Sequence, residues 1–243
     1  MIGTGISLAD PCLAEMAALA GFDIVLIETE HSQLDYQAVA AQIIAAKAGG
    51  AFSAVRVPWN EPFLAKRVLE IGPDAVIFPM INTADEAKKA MDACVYPPDG
   101  TRGIGPVRAF RYGLTDLKEY VKNSDQALLR IIMVESKTAV KNLPEILKTQ
   151  FVDAILIGPC DMSFSIGRGG DIKCPENMAL IEQTVSACKK SKLPVGIWIG
   201  DDTEQELRLW WKKGFDFLLC SNEFVLLSAA QKQLCKTLKA AQR

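Results

Sequence analysis

The chain lacks the features that several classes of protein require. None of its apolar runs approaches the roughly 20 residues that a membrane-spanning helix needs. Its 27 basic and 29 acidic side chains give a net charge of −2, and they form no block of like charge, so a nucleic acid or an anionic membrane surface is not an expected partner. The glycine-rich phosphate-binding signatures GxGxxG and GxxxxGK[ST] are absent as well. The sequence therefore indicates neither a membrane protein nor a nucleotide-binding one.

The seven cysteines show no CxxC pair and no spacing typical of metal ligands. Scattered through apolar segments, they are typical of reduced thiols in a cytoplasmic protein. The opening residues MIGTGISLAD have neither a basic region nor a long apolar region, so we expect no secretion signal. Only Cys160 has a suggestive neighbour, Asp161, and its simplest role is that of a small apolar residue in a tight turn.

What the sequence does contain is a regular alternation of apolar strands and amphipathic helices. With 243 residues, 49% of them hydrophobic, the chain suits a single domain over residues 1–243. Continuous apolar runs that end in turn residues predict strands buried on both faces. The predicted strands cover residues 3–8, 23–31, 52–60, 74–80, 127–136, 152–163, 193–200 and 215–222.

Eight such strands joined by helices predict a closed (β/α)8 barrel, in the class of α/β proteins. Alternation of this kind produces parallel strands with right-handed crossovers, and the active site of such a barrel lies at the C-terminal ends of its strands. An open, doubly wound sheet is the alternative, but it would need the nucleotide signature that is missing. The helix over residues 137–149 is expected to be interrupted at Pro144.

Two of the predicted strands end in a carboxylate. The run IIMVES ends with Glu135, and ILIGPCDMS contains Asp161. Burying a carboxylate at a strand end is costly unless a cation or a proton meets it. Two carboxylates on consecutive strands suggest a hard divalent metal with open coordination positions. Both residues are equally compatible with solvated caps of the following helices, and these residues alone leave the two interpretations open.

Further charged residues follow the second and third strands. Glu28, Glu30 and His31 end the second, and Arg56 ends the third. His31 is the only histidine, and the neighbouring acids could orient its ring. For Arg56 two interpretations stand: a structural ion pair with Glu28 or Glu30, or a fixed guanidinium that stabilises an oxyanion or a carboxylate.

Six segments resemble, in their order and spacing, the HpcH/HpaI family of metal-dependent (class II) pyruvate aldolases. They are GFDIVLIETEHS, AVRVPWNEP, VIFPMINTADEA, YPPDGTRGIG, VESKTAVKNLPEIL and VDAILIGPCDMS. The resemblance covers essentially the whole chain and includes 4-hydroxy-2-oxoheptanedioate and 2-dehydro-3-deoxyglucarate aldolases. It implies a barrel of the phosphoenolpyruvate/pyruvate-binding type.

The same resemblance implies roles for the residues at the strand ends. Glu135 and Asp161 become ligands of Mg²⁺, Mn²⁺ or Co²⁺, and His31 becomes the catalytic base, with Glu28 beside it. Arg56 becomes the residue that stabilises the pyruvate enolate. The turn Gly158–Pro159–Cys160–Asp161 is expected to offer backbone N–H groups to the substrate carboxylate. The family also implies a homo-oligomer, a hexamer or trimer of dimers, whose last helix packs against a neighbouring subunit.

Two positions depart from the family pattern, and both lie near the expected substrate. Met133 replaces a glutamine whose amide would lie close to the oxo acid, and Glu28 replaces an aspartate. Met133 and Glu30 are expected to lie behind the catalytic residues and support them. The loops 102–112 and 165–173 are expected to select the aldehyde. The arginines that could receive a second substrate carboxylate there, or simply be solvated, are Arg108, Arg111 and Arg168.

The expected reaction is reversible cleavage of a 4-hydroxy-2-oxo acid into pyruvate and an aldehyde. The metal and Arg56 stabilise the enolate, and His31 removes the proton from the C4 hydroxyl, through a water molecule. An alternative retains the metal enolate for oxaloacetate decarboxylation or acyl-CoA condensation, and Met133 keeps that alternative open. An inactive barrel that serves as a binding module is a third hypothesis. The presence of all four site residues argues against it: His31, Arg56, Glu135 and Asp161.

Overall fold

The protein is a closed barrel in a computed structural model that describes residues 1–200 and 203–242. In those ranges eight parallel strands pair in chain order, and β1 hydrogen-bonds to both β2 and β8. The strands are β1 (Ile2–Ile6), β2 (Ile24–Glu28), β3 (Phe52–Arg56), β4 (Ala75–Phe78), β5 (Leu129–Val134), β6 (Ala154–Ile157), β7 (Val195–Ile199) and β8 (Phe217–Asn222). The predicted (β/α)8 barrel is confirmed, and the open sheet is excluded because the first and last strands are paired.

Helices follow the strands and surround the barrel. They are α1 (Pro11–Leu19), α2 (Tyr36–Ala48), α3 (Pro62–Ile71), α4 (Ala84–Asp92), α5 (Leu117–Asn123), α6 (Lys137–Ile146), α7 (Pro159–Ser165), α8 (Pro175–Lys190), α9 (Glu204–Lys212) and α10 (Glu223–Ala241). Their starts are set by local chemistry: the Asp10 carboxylate accepts a hydrogen bond from the N–H of Cys12 at the beginning of α1. None of the helices described is long and apolar enough to cross a membrane.

Several predicted helix and strand ends are wrong. Strand β2 ends at Glu28 and β3 at Arg56, each before the predicted end. Helix α6 continues through Pro144, since this proline lies in the last turn and its missing N–H costs a single hydrogen bond just before the helix ends. Strand β6 ends at Ile157 and not at residue 163. Pro159 begins α7, because the first turn of a helix does not need its N–H. Asp161 therefore lies in the first turn of a short helix.

Two apolar layers hold the fold together. One lies between the strands and the helices, and the other fills the barrel. The inner layer contains Leu26, Ala54, Ile77, Met133, Leu156 and Leu219. Because strand side chains alternate between the two faces, the identity of these inner residues determines which positions point into the barrel mouth.

The long segment between α4 and β5 lies at the N-terminal end of the barrel. The N–H of Ala109 donates to the carbonyl of Glu70 at 3.1 Å, and Arg108 Nη1 donates to that of Ile71 at 2.8 Å. These carbonyls belong to the end of α3, just before β4 begins. Our expectation that the loop 102–112 borders the mouth is therefore wrong, since α4 carries the chain away from the mouth. Neither Arg108 nor Arg111 can receive a substrate carboxylate there.

Candidate active site

Strand alternation places three charged side chains inside the mouth of the barrel. Each lies two positions beyond a residue of the inner apolar layer and therefore points the same way. They are Glu28 beyond Leu26, Arg56 beyond Ala54 and Glu135 beyond Met133. The predicted site residues on β2, β3 and β5 are thus brought together at the C-terminal ends of the strands, where barrel enzymes place their chemistry.

Arg56 is held on several sides and is only 5% exposed. Its Nε donates to Glu28 Oε2 at 2.5 Å, its Nη2 pairs with the same oxygen, and its Nη1 lies 2.9 Å from Glu30 Oε2. The guanidinium carbon lies 5.0 Å from the ring centroid of Trp198, in cation–π geometry. The ion pair considered from the sequence is present, and it also fixes the orientation that a catalytic guanidinium needs.

Glu28 positions the main chain that carries His31. Its Oε1 accepts hydrogen bonds from the N–H of Glu30 at 2.6 Å and from that of His31 at 3.1 Å. The imidazole itself is not bonded to Glu28. The acidic oxygen near it is Glu30 Oε2, 3.8 Å from His31 Nε2, and the His31 side chain is 66% exposed. Glu28 therefore orients the turn and Arg56, whereas Glu30 lies beside the ring.

Glu135 is a buried carboxylate beside the β6–α7 turn. Its Oε1 accepts a hydrogen bond from the N–H of Met80 at 2.8 Å. A Cβ at Gly158 would lie 3.0 Å from Glu135 Oε2, so glycine at that position leaves room for the carboxylate. The pKa of Glu135 is raised to about 7, chiefly by burial; the charges of Glu30 and Asp161 contribute to the increase, and the hydrogen bond from Met80 and the charge of Arg56 oppose it.

Glu30 carries the same electrostatic signature. Burial raises its pKa to about 7, with repulsion from Glu28 and Asp161 added and attraction to Arg56 opposing the shift. The more buried carboxylates of Glu30 and Glu135 are thus repelled by the exposed carboxylate of Asp161 as well as by one another. A cation would relieve this repulsion, and carboxylate oxygens are the ligands that Mg²⁺ and Mn²⁺ prefer. The residues present therefore fit a divalent metal ion.

The protein alone would not complete such a coordination sphere. Within residues 1–200 and 203–242, no group of three or more His, Cys, Asp and Glu side chains is arranged to hold a metal ion. Glu135 and Asp161 would supply two ligands, and the remaining positions of an octahedral ion would fall to water and substrate. This matches the open site that the two carboxylates suggested in the sequence.

The turn from Gly158 to Asp161 borders a cavity of about 320 Å³ that also contacts His31 and Arg56. The first turn of a helix leaves its N–H groups without partners inside the helix. Pro159 has no N–H, so Cys160 and Asp161 are the donors that this turn can offer. Burial raises the pKa of the Cys160 thiol, so it remains protonated at neutral pH, in agreement with a packing role.

Sequence reasoning missed three residues that line the same cavity: Trp198, Ser221 and Asn222. The alternation in VGIWIG could have indicated that Trp198 points inward. Nothing in the sequence marked Ser221, which takes a left-handed conformation (φ 59°) that serine rarely adopts. Three of the expected residues, Glu30, Glu135 and Arg168, are not among the residues that line this cavity, and Arg168 forms an ion pair with Glu176 on the protein surface.

Known proteins are similar to this chain in sequence. A model of the HpcH/HpaI aldolase/citrate lyase family matches residues 3–222. The chain is 34% identical over 233 residues to the 4-hydroxy-2-oxo-heptane-1,7-dioate aldolase of Escherichia coli, covering 96% of this chain and 88% of that protein. It is 35% identical over 202 residues to the hydroxypyruvate/pyruvate aldolase of Roseobacter denitrificans, covering 83% and 79%.

The fold comparison agrees with these sequence matches. The crystal structure of an HpcH/HpaI aldolase/citrate lyase family protein from Burkholderia cenocepacia superposes with a TM-score of 0.91 at 32% identity, covering 98% of this chain and 94% of that one. The closed eight-stranded barrel and the similar proteins agree with the resemblance found in the motifs. The chain belongs to the HpcH/HpaI aldolase/citrate lyase family.

Proposed function

We propose that this carbon–carbon lyase is a divalent-metal-dependent aldolase that reversibly cleaves a 4-hydroxy-2-oxo acid into pyruvate and an aldehyde. The observation that carries the proposal is one cavity at the barrel mouth bordered by Arg56, His31 and the turn 158–161. Two relatives at about one-third identity, from E. coli and R. denitrificans, are named as aldolases, which supports the reaction class.

Glu135 and Asp161 are the residues that we propose as metal ligands, for Mg²⁺, Mn²⁺ or Co²⁺. Bound there, the ion supplies Lewis-acid stabilisation of the charge that develops on the 2-oxo oxygen. The support comes from the raised pKa of Glu135 and from its contact with Gly158, which brings it next to the turn that carries Asp161. Because the charge of Asp161 raises the cost of ionising Glu135, a cation between the two would stabilise the ionised form of Glu135.

The 2-oxo acid carboxylate is proposed to lie against the first turn of α7. The N–H groups of Cys160 and Asp161 are the available donors, and Pro159 keeps the turn in helical geometry from its first residue. Partial positive charge at the start of a helix favours a carboxylate there. These contacts would orient the oxo acid with its 2-oxo oxygen toward Arg56.

Arg56 is proposed to stabilise the enolate. Its bonds to Glu28 and Glu30 fix the guanidinium before substrate arrives. A cation that is already in position stabilises the negative charge that develops on the enolate, because it does not have to reorganise during the reaction. Such preorganisation is usually the largest electrostatic contribution to catalysis. The Trp198 ring lies beside the guanidinium, with its centroid 5.0 Å from the guanidinium carbon, and both side chains line the cavity.

His31 is proposed as the base for the C4 hydroxyl. It accepts the hydroxyl proton, directly or through a water molecule, as the C3–C4 bond breaks. The electron pair of that bond forms the enolate, C4 becomes the aldehyde carbonyl, and a proton then returns to C3 to give pyruvate. Glu30, 3.8 Å from His31 Nε2, is placed to stabilise the protonated ring.

A second function remains a candidate because of Met133. Its sulfur lies 3.7 Å from Arg56 Nη1, and a thioether is a weak hydrogen-bond acceptor compared with the amide that relatives are expected to carry. The same enolate site would then serve oxaloacetate decarboxylation or condensation with an acyl-CoA. Decarboxylation breaks a bond to carbon dioxide and needs no base at a C4 hydroxyl.

We further propose that the protein is a homo-oligomer in which α10 packs against a neighbouring subunit. Only Glu223 is buried among the described residues of this helix. Its exposed apolar side chains are Phe224, Val225, Leu226, Leu227, Leu234 and Leu238, more than a solvated helix normally presents. Light scattering should give a multiple of the 26.5 kDa chain mass, a hexamer by resemblance, and a monomer at micromolar concentration would contradict this proposal.

The cellular location is proposed to be the cytoplasm. All seven cysteines are free, and three of them (Cys94, Cys174 and Cys188) are buried. Such thiols persist in a reducing compartment. Fractionation of the native host, with the protein detected by antibody, would test this location.

The reaction can be tested by following pyruvate release in two parallel assays, one with a 4-hydroxy-2-oxo acid and one with oxaloacetate. With Mn²⁺ or Mg²⁺ present, we expect turnover of the first substrate. Release of pyruvate from oxaloacetate alone, with no cleavage of any 4-hydroxy-2-oxo acid, would contradict the aldolase and favour the second function.

A further inference from the structure

The turn that follows β4 supplies a hydrogen bond to the buried carboxylate of Glu135. Pro79, the first residue after the strand, has no N–H, so the first main-chain donor beyond β4 is that of Met80. This N–H donates to Glu135 Oε1 at 2.8 Å. Within residues 1–200 and 203–242 no donor meets Glu135 Oε2, which lies next to Gly158. The turn therefore fixes one carboxylate oxygen and leaves the other available to an ion.

Met80 can donate in this direction only because its main chain takes a left-handed conformation. Its φ is 56°, which is unfavourable for a residue with a side chain and persists where the surrounding structure imposes it. The Met80 side chain is 36% exposed, so its own burial does not impose the conformation. If the turn relaxed to an ordinary φ, the N–H would point elsewhere and Glu135 would lose its donor.

Asn82 is the residue that holds this turn. Its Nδ2 donates to the carbonyl of Met80 at 2.9 Å, and its Oδ1 accepts from Ser136 Oγ, on the residue that follows Glu135. The two bonds agree on the orientation of the amide, because a carbonyl can only accept. Ser136 Oγ itself accepts from the N–H of Ala139 at 3.0 Å, which leaves its proton free for Asn82.

The main chain of Asn82 is fixed as well. Its N–H donates to Glu86 Oε2 at 2.7 Å, and its carbonyl accepts from Asn142 Nδ2 at 2.8 Å. Glu86 belongs to α4 and Asn142 to α6, so Asn82 is anchored between the helices that follow β4 and β5. Its side-chain amide transmits that fixed position to the turn on one side and to the end of β5 on the other.

We propose that Asn82 is a positioning residue that orients the Glu135 carboxylate for the divalent ion. It acts through the N–H of Met80 and not through contact with the ion. The inference rests on the proposed metal-dependent aldolase and adds a residue that sets its affinity for metal. Removing a group that orients a metal ligand in this way typically weakens metal binding by roughly 10- to 100-fold.

The test is a calorimetric titration of metal-free protein with Mn²⁺, without substrate. Asn82→Ala removes both side-chain hydrogen bonds and keeps those of the main chain. We expect the Kd for Mn²⁺ to rise by about 10-fold or more. Because Glu135 is still present, turnover at saturating Mn²⁺ should stay within about threefold of the unmodified protein. A Kd within about twofold of the unmodified value would overturn the inference. If the alanine variant does not fold, Asn82→Leu gives the same comparison.

Asn60→Ala is the matched control. Asn60 is 9% exposed, and its Nδ2 donates to the carbonyl of Glu86 at 2.9 Å, so it also ties a loop to α4 through an amide. It bonds to neither Met80 nor Glu135. We expect this variant to unfold at a lower temperature with an unchanged Kd for Mn²⁺. An equal rise in Kd for Asn60→Ala and Asn82→Ala would assign the effect to general loosening and overturn the inference.

A second substitution at Met80 tests whether Asn82 acts through the turn. Glycine takes the left-handed conformation without a steric penalty, and it keeps the N–H that Glu135 accepts from. Adding Met80→Gly to Asn82→Ala should therefore return the Kd for Mn²⁺ to within about threefold of the unmodified protein. If the double variant bound Mn²⁺ as weakly as Asn82→Ala alone, the turn would not be the link between Asn82 and the metal site.

The same titration of Glu135→Gln separates this inference from the function on which it rests. Glutamine can still accept from Met80 but has no charge for the ion, so Mn²⁺ binding should be lost. Unchanged binding in Glu135→Gln would overturn the ligand assignment, and the inference with it. Lost binding in Glu135→Gln together with an unchanged Kd in Asn82→Ala would overturn the inference alone and leave the metal site in place.

Discussion

The two ends of the barrel both contain buried arginines, and their partners differ. At the N-terminal end, Arg130 donates to Asp153 Oδ2 at 2.8 Å and to the carbonyl of Asp125 at 2.9 Å, and Arg108 donates to main-chain carbonyls of α3 and the turn after it. At the C-terminal end, Arg56 is shared by Glu28 and Glu30, while Glu135 and Asp161 lie nearby without a cation of their own among the described residues.

This difference identifies the functional end better than cavity size does. The cavity at the N-terminal end is the larger, about 540 Å³ against about 320 Å³ at the mouth. Two of its arginines, Arg102 and Arg108, however, donate to main-chain carbonyls of α3 and the turn after it. The mouth has an excess of buried carboxylate, which raises the pKa of Glu30 and Glu135 to about 7. Perturbed groups of this kind mark sites of chemistry more often than sites of packing.

The largest expected effect comes from replacing Arg56. Arg56→Lys keeps the positive charge but loses the planar fork that contacts Glu28, Glu30 and the enolate. We expect turnover to fall by roughly 100-fold or more, both for aldol cleavage and for oxaloacetate decarboxylation, as for the loss of one oxyanion donor. Steady-state pyruvate release with saturating Mn²⁺ measures it, and a change below about threefold would make Arg56 a structural residue.

Arg130→Lys is the matched control at the opposite end. Arg130 is 3% exposed, comparable with Arg56, and is likewise bonded to a carboxylate. We expect its replacement to lower the free energy of unfolding by about 2 kcal/mol through lost charge-assisted hydrogen bonds while turnover stays within about threefold of the unmodified protein. Urea unfolding and the pyruvate assay, run on one preparation, provide both values. A large loss of turnover at unchanged stability would erase the contrast between the two ends.

The next effect is selective for one reaction. His31→Ala removes the proposed base, so aldol cleavage should fall by about 100-fold, while oxaloacetate decarboxylation, which needs no such base, should remain within a few fold. Both rates are measured on the same sample. Equal losses would mean that His31 maintains the site as a whole. Undiminished cleavage would remove it from the mechanism and make Glu30 the next candidate base.

The smallest expected effect is the change in stability when Glu135 is replaced. Replacing a buried side chain usually destabilises a protein, but here we expect stabilisation at high pH in the absence of metal. The pKa of Glu135 is raised to about 7 in the folded protein, so between its ordinary value and about 7 the folded state binds more protons than the unfolded state. Its contribution to stability is therefore lost as the pH rises through about 7. In metal-free protein at pH 8, Glu135→Gln should increase the free energy of unfolding by roughly 2 kcal/mol.

The same variant should behave in the opposite way once metal is present. A divalent ion pairs with Glu135 and stabilises the unmodified protein, whereas glutamine loses most of that gain. Thermal unfolding at pH 6 and pH 8, with and without Mn²⁺, provides the four values. If Glu135→Gln were less stable than the unmodified protein at pH 8 in the absence of metal, the excess of buried charge at the mouth would be contradicted.

Most of the barrel could be predicted from the sequence because its signals are local. Apolar runs bounded by turn residues indicated all eight strands, and the strand-end residues Arg56 and Glu135 followed from them. Two of the predictions that went wrong did so for different reasons. The sequence does not show which end of the barrel a long connection returns to, so Arg108 was misplaced. A proline in the last turn of a helix was judged as if it lay in the middle.

The finer arrangement of the site needed the three-dimensional structure. Glu28 was expected beside His31, but its carboxylate bonds to the main chain there, and only the fold shows that Glu30 is nearer the ring. The bulge in β8 that brings Asn222 opposite Gly5 depends on the register between β1 and β8. No pattern within either strand encodes that register, since the two strands are at opposite ends of the chain.

The central claim is that the excess carboxylate at the mouth holds a divalent ion on which turnover depends. The most direct measurement is pyruvate release after exhaustive dialysis against EDTA, with the metal content determined by elemental analysis before and after. Because Glu135 and Asp161 supply only two protein ligands, the ion should be removable. We predict that turnover falls by at least about 100-fold and returns on adding Mn²⁺ or Mg²⁺. Full turnover in protein that contains no metal would contradict the account.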